Sequence, residues 1–339
     1  MAGMSRCSVA VAIVAIILWV SAAWAGHEDG RVLVLAPPLA RADALWMAAA
    51  RGFFKDEGLS VTVRWVSSGR EALQALKESR DKQAGAVAFV VVGEMLALDA
   101  WQSTEGEFAV VAPLARDADG YVVVARATVR SPDALRAAGI ATQLGSTAAW
   151  VLGEYLRAHG MSERDVALKH EPPEAILSWD PAGPDIAAFV VREPYATRAL
   201  QKNGDAVHRL ATAKGYAHGY LVLGASRRYL REHAGVAERL LRALDRGRRH
   251  AAEHRDDVIA FARDMFGTEP AVVDADYAAT ERLLGVDPTV VSDMRNLVHW
   301  MKEAGLLGAT ADPRTLFELG PLRATFPERL AADDAPTTR

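Results

Sequence analysis

The chain of 339 residues carries one cysteine, Cys7, and it lies ahead of the first apolar run. Everything after that run lacks thiols, which excludes disulfides, thiolate metal sites and cysteine nucleophiles there. Long hydrophobic stretches are also missing. Residues 9–20 are uninterruptedly apolar, but such a run is too short to cross a hydrocarbon core of about 30 Å as a helix. Positive charge is not in excess: Lys and Arg total 39 against 43 Asp and Glu, a net charge of −4. A mildly acidic balance argues against nucleic acid, which is recognised through concentrated basic charge. No Gly-x-Ser-x-Gly, P-loop or Gly-x-Gly-x-x-Gly motif and no fixed-period repeat is present. Nucleophile-elbow hydrolases, nucleotidases and dinucleotide enzymes are therefore without a motif.

What is present fits a soluble α/β protein: half the residues are hydrophobic and 24% are charged. The amino terminus reads as a secretory signal, with Arg6 as a basic n-region, the apolar run, and Ala23-Trp24-Ala25 as an A-x-A cleavage site before Gly26. Cleavage there removes Arg6 and no acid, taking the net charge from −4 to −5. The expectation is a periplasmic or otherwise extracytoplasmic protein.

Apolar, β-branched runs at residues 32–36, 61–66, 86–92 and 108–112 alternate with helical patterns at 44–54, 70–78 and 95–101. Strands alternating with helices imply a parallel sheet whose ligand crevice lies at the carboxyl ends of the strands. Three turns should face that crevice: 37–41 with Pro38 and Leu39, then Ser67-Ser68-Gly69, then Gly93-Glu94. A strand at 121–125 reads as a crossing into a second unit and one at 220–223 as the return. Between them lie strands at 140–142, 166–169, 186–191 and 207–210 and helix starts at Ser131-Pro132-Asp133 and about Pro173. From Ser226 onward the pattern is almost wholly helical. The expected division is a signal at 1–25, a first lobe at 26–118 and 213–330, a second lobe at 119–212, and a tail at 331–339.

Residues 139–165 concentrate the ligand signals. A short strand, a turn at Gly145, and a helix opening at Ser146 or Thr147 and stopping at Gly160 would present free backbone N–H groups and the positive end of the helix dipole. Gly145, Ser146 and Thr147 are thus candidate ligand contacts, although capping alone also accounts for Ser146.

Three ordered motifs carry a family resemblance. Residues 44–59, ending Gly52-Phe53-Phe54-Lys55-Asp56-Glu57-Gly58-Leu59, the Gly-Ser-Thr turn at 145–147, and the segment 185–195 ending Glu193-Pro194-Tyr195 resemble extracytoplasmic substrate-binding proteins of ABC transporters for nitrate, taurine, aliphatic sulfonates and thiamine precursors. The resemblance spans residues 31–307. It implies a type II periplasmic binding protein: two α/β lobes, each a mostly parallel sheet flanked by helices, two crossover segments, and a cleft that closes on a small molecule. It further implies capture of a small polar or anionic organic molecule for an ABC transporter permease by a monomer without cofactor, metal or enzymatic activity, touching the membrane only through the permease. Alternatives are an enzyme related to the pyrimidine synthases of thiamine biosynthesis, and a periplasmic sensor or adaptor. Members of the family commonly open the third strand with an acid, where this chain has Ala86-Val87-Ala88-Phe89 and places Glu94 after the strand. A carboxylate at a cleft mouth disfavours a bare anion.

The remaining candidates each have a plainer reading. Trp46, Trp150, Trp179 and Tyr195 lie near the predicted turns and could form an aromatic wall or simply fill the core. Arg192 and Glu193 end a strand, where the guanidinium could hold a carboxylate or sulfonate or pair with a neighbouring acid. His250-Ala-Ala-Glu-His254 matches the inverted zinc-protease motif, but its charged surroundings favour a solvated helix face.

Overall fold

A computed structural model describes residues 31–79, 86–136, 138–309 and 311–331; the expected signal segment and residues 332–339 lie outside these. The chain opens with β1 (Arg31–Ala36), whose ladder stops at Pro37-Pro38 because proline has no N–H to donate. A 3-10 turn leads into α1 (Asp43–Ala50) and, past Gly52 at φ +74°, α2 (Phe53–Asp56). The single helix expected at 44–54 is thus two, because only glycine adopts this left-handed backbone without cost. Then come β2 (Ser60–Trp65), α3 (Gly69–Glu78), β3 (Val87–Gly93), α4 (Glu94–Ser103) and β4 (Phe108–Asp117).

The middle of the chain supplies β5 (Tyr121–Arg126), β6 (Gly139–Thr142), α5 (Thr147–Ala158), β7 (Ala167–His170), β8 (Ala188–Arg192), α6 (Tyr195–Asn203) and β9 (Val207–Thr212). The return strand β10 (Gly219–Ser226) precedes α7 (Arg227–Glu232), α8 (Ala234–Glu253), α9 (Arg255–Phe266), α10 (Pro270–Ala279), β11 (Thr280–Arg282), α11 (Pro288–Glu303) and α12 (Gly320–Thr325). The helices expected from Ser131 and Pro173 are short 3-10 turns, Pro132–Leu135 and Pro173–Leu177. Ser131 makes no side-chain cap there.

Two sheets form, in the orders β11-β4-β10-β3-β1-β2 and β7-β6-β8-β5-β9. Both are mixed. β1, β2 and β3 are parallel neighbours, and β6 is parallel to β7 and β8, but β10 runs antiparallel between β3 and β4, and β5 antiparallel between β8 and β9. The crossing strands β5 and β10, together with the short edge strand β11, run against the common direction of the others, so each lobe keeps a parallel set of strands within a mixed sheet.

Burial follows the connectivity. β3 and β4, flanked on both sides, are buried almost throughout, β4 down to its charged end at Arg116-Asp117, whereas the edge strand β2 alternates exposed and half-buried positions. One hydrophobic cluster runs through both sheets, joining Val34, Phe89 and Val222 to Ile140, Trp150 and Val190. Each fully buried side chain of this kind contributes about 1.5–3 kcal/mol by leaving water. No helix among the described residues is long and apolar enough to cross a membrane.

Candidate functional site

Because β1, β2 and β3 are parallel neighbours, the turns that follow them emerge on one edge of the six-stranded sheet. Against that edge stand the start of α5 and the end of β8. Glu94, the first residue of α4, is buried at this junction. Its Oε1 accepts the Thr147 hydroxyl at 2.6 Å, and its Oε2 accepts the Tyr220 N–H of β10 at 2.8 Å. One carboxyl thereby joins the β3 turn, the first residue of α5 and the returning strand. Burial pushes its pKa up, against the downward pull of these two bonds. The close approach depends on Gly219, where a Cβ would lie 3.0 Å from the Tyr121 ring and 3.2 Å from the Thr147 methyl.

A ladder of alternating charges starts beside it. Arg41 Nη1 donates to Asp117 Oδ2 at 3.2 Å, and Arg192 Nε donates to the same oxygen. Asp117 Oδ1 accepts the Gly120 N–H at 2.7 Å, closing the turn that crosses between the sheets. Arg192 also reaches Asp276 and the Glu193 carbonyl. Asp276 faces Arg282 at 3.6 Å, and Arg282 Nε donates to Asp43 at 2.9 Å while its guanidinium covers the Tyr277 ring at 3.7 Å. Burial alone would depress Arg192, but Asp117 and Asp276 outweigh it and hold its pKa above the ordinary arginine value. The same balance holds Asp276 below the usual carboxylate range, while Asp43, more deeply buried, is raised. Arg41 Nε is buried without a hydrogen-bond partner.

The predicted residues divide clearly. Gly93, Glu94, Thr147 and Arg192 come together at the junction with Arg41, Asp117 and Tyr121. Arg192 takes its plainer reading, since its donors are engaged by Asp117, Asp276 and Glu193. Glu193 is buried behind it, accepting from Arg209 and from the Thr197 N–H, so it ties α6 down and does not face a ligand. Ser146 stands at the N-cap position of α5, but its hydroxyl makes no cap and instead donates to the Gln143 carbonyl at 2.6 Å, beside Gly145 at φ +71°. Ser67 and Ser68 are exposed and engaged with Glu71, where the Ser68 hydroxyl caps α3 ahead of Gly69. Pro38 is exposed and Leu39 half-buried on the first turn.

The expected aromatic wall is corrected. Trp46 is fully buried against Phe261 and Phe266 of α9, at ring distances of 5.5 and 5.2 Å. Trp150 is core, with its N–H on Glu154, and Trp179 packs on Phe189 with its N–H on the Ile186 carbonyl. Position beside a turn says nothing about which face a helix buries. Arg41, Asp117, Tyr121 and Tyr220 were missed; the first lies inside a turn expected at the crevice and the second opens the Asp-Ala-Asp-Gly crossing, so position was their only signal. His250 Nε2 bonds Asp257 at 2.7 Å and His254 falls where α8 ends. No cluster of three or more metal-ligating side chains occurs among the described residues.

Two lobes, each a helix-flanked mixed sheet, joined by antiparallel crossing strands, make this the fold of the periplasmic binding proteins. The chain belongs to the NMT1-like family, whose model matches residues 36–260. No curated protein matches the sequence. Among solved structures, the chain is similar to the periplasmic aliphatic sulphonate binding protein SsuA from Escherichia coli, at 16% identity and TM-score 0.70, covering 85% of this chain and 97% of that one. It is similar also to the alkanesulfonate-binding protein SsuA from Xanthomonas axonopodis pv. citri bound to MOPS, at 19% identity and TM-score 0.62, covering 82% and 94%. The desulfurization enzyme DSZB shares the fold as well, at 14% identity and TM-score 0.62, covering 88% and 99%.

Proposed function

We propose that the chain is an exported solute-binding protein that captures a small polar or anionic organic molecule between its lobes and delivers it to an ABC transporter permease. The carrying observation is that both lobes supply groups to one buried junction. Arg41 and Glu94 come from the turns after β1 and β3, and Thr147, Tyr121 and Arg192 from the other sheet, with Arg41 Nε left unbonded. A ligand acid could take the place of Asp117 on Arg41, gaining a charge-assisted bond. The sulfonate binders among the similar folds support an anionic ligand.

We infer lobes at 26–118 with 213–330 and at 119–212, a division supported by which strands share a sheet. An extracytoplasmic location follows from the leader-like amino terminus, and a monomer from the reading as a carrier. The fold also serves an enzyme; binding is preferred because other similar structures are sulfonate-binding proteins. The test is a thermal-shift screen of alkanesulfonates, nitrate, pyrimidines and aromatic carboxylates. A ligand at 100 times its Kd stabilises by about 2.7 kcal/mol, and Arg41→Ala, in which Asp117 keeps Arg192 as its partner, should abolish that shift relative to the variant's own unliganded midpoint. A hit that Arg41→Ala binds equally well would remove the junction from the reading.

A further inference from the structure

A groove of about 830 Å³ runs along the edge strand β2, between the end of α1, α2 and α9. Val61, Val63 and Trp65 alternate along β2 and so share one face, which forms the groove's floor. Its two ends differ chemically. Where β1 and β2 begin, Arg31 stands in register with Ser60, Arg239 reaches to 3.9 Å from where a Gly58 Cβ would be, and Lys55, three residues before Gly58, lines the groove with them. Three cations therefore gather at one end. At the other, Trp65 meets Phe266 and Phe261 at ring distances of 5.1 and 6.3 Å, beside Met265, which is 54% exposed.

No acidic residue lines the groove among the described residues. The nearest acids are committed elsewhere, Asp56 to Arg246 and Glu57 to Arg242, each at 2.7 Å. Among the described residues the cationic end is thus without a paired acid, and the opposite end carries exposed apolar surface at Met265. The span between them, the length of β2, is about 17 Å at roughly 3.3 Å per residue. The volume lies within the range of about 300–1,000 Å³ common to small-molecule sites.

We propose that this groove is a second ligand site, separate from the junction, for an amphipathic anion: a single alkyl chain carrying a carboxylate, sulfonate or phosphate head. The head meets Arg31, Lys55 and Arg239, and the chain lies over Val61 and Val63 toward Trp65 and Met265. A short anion lacks the tail contacts and a neutral alcohol lacks the head contacts, so both bind poorly.

The test is isothermal titration of the protein with 1-dodecanesulfonate below its micelle concentration, with 1-butanesulfonate and 1-dodecanol as comparators. Dodecanesulfonate should bind saturably, and the double variant Lys55→Glu, Arg239→Glu should weaken it by about tenfold or more, the scale of one charge-assisted hydrogen bond. Met265→Asp, at an exposed position that leaves the core intact, should weaken it independently. Thr147→Val, at the junction, should leave this binding unchanged. The proposal is overturned if the parent shows no saturable binding, if the groove variants bind as the parent does, or if Thr147→Val abolishes binding that the groove variants retain.

Discussion

Glu94 is a carboxyl that the fold keeps from water, and its titration should show in stability. Burial holds its pKa above the ordinary glutamate value of about 4.3. The folded state therefore binds more protons than the unfolded chain between those two values, and stability falls as pH rises through that interval. Glu94→Gln keeps the shape and removes the charge, so its unfolding midpoint should decline less than the parent's over that interval; Asp43, also raised by burial, leaves a residual slope. Equal slopes in parent and variant would show that Glu94 does not contribute. Arg192 makes the complementary case. Arg192→Ala would strand Asp117 and Asp276, both buried, without their main partner. Breaking a buried pair from one side costs about 3–5 kcal/mol, readable by urea denaturation; a loss under about 1 kcal/mol would contradict the ladder.

Among the elements, α5 and α11 meet across the two lobes at Gly153, where a Cβ would lie 3.0 Å from Trp300 Nε1 and 3.2 Å from Glu163 Oε1. Gly153→Leu should therefore cost about 1–3 kcal/mol by overpacking, measured as a lowered unfolding midpoint, whereas the helix-propensity gain alone would raise it. The elements also show what the chain reveals of itself. β1, β2, β3 and β5 were legible because apolar runs end at glycine, proline or polar turns, and the ten residues of β4 were half-read because its apolar stretch runs on through Pro113. β11 was not legible: Thr280-Glu281-Arg282 is polar, and only β4 makes it a strand. Of the residues that meet at the junction, Glu94, Thr147 and Arg192 were named from the sequence because they sit at strand ends and a helix start. Their partners were not, because pairs such as Arg192 with Asp117 and Arg282 with Asp43 are separated by 75 and 239 residues, and nothing local marks them.

At the scale of the molecule, the Glu94–Thr147 bond, the Arg192 pairs with Asp117 and Asp276, and the close approach of α5 to Trp300 at Gly153 hold the lobes together. Thr147→Val combined with Glu94→Gln should loosen that hold, and small-angle scattering should then report a larger radius of gyration. An unchanged profile would mean that the remaining contacts suffice. The order of the strands also has a temporal side. In the six-stranded sheet β4 has only β10 and β11 as neighbours, and both are made after the whole five-stranded sheet has been threaded. As the chain emerges from amino to carboxyl end, β4 is thus an apolar strand without a mate until β10 arrives between it and β3. The five-stranded unit, contiguous in sequence, can assemble in that interval. Its formation draws the ends of β4 and β10 together and shortens the loop that must close before they pair. The inner strand of one lobe thus waits on the completion of the other, and that waiting period is when the chain is most exposed to self-association.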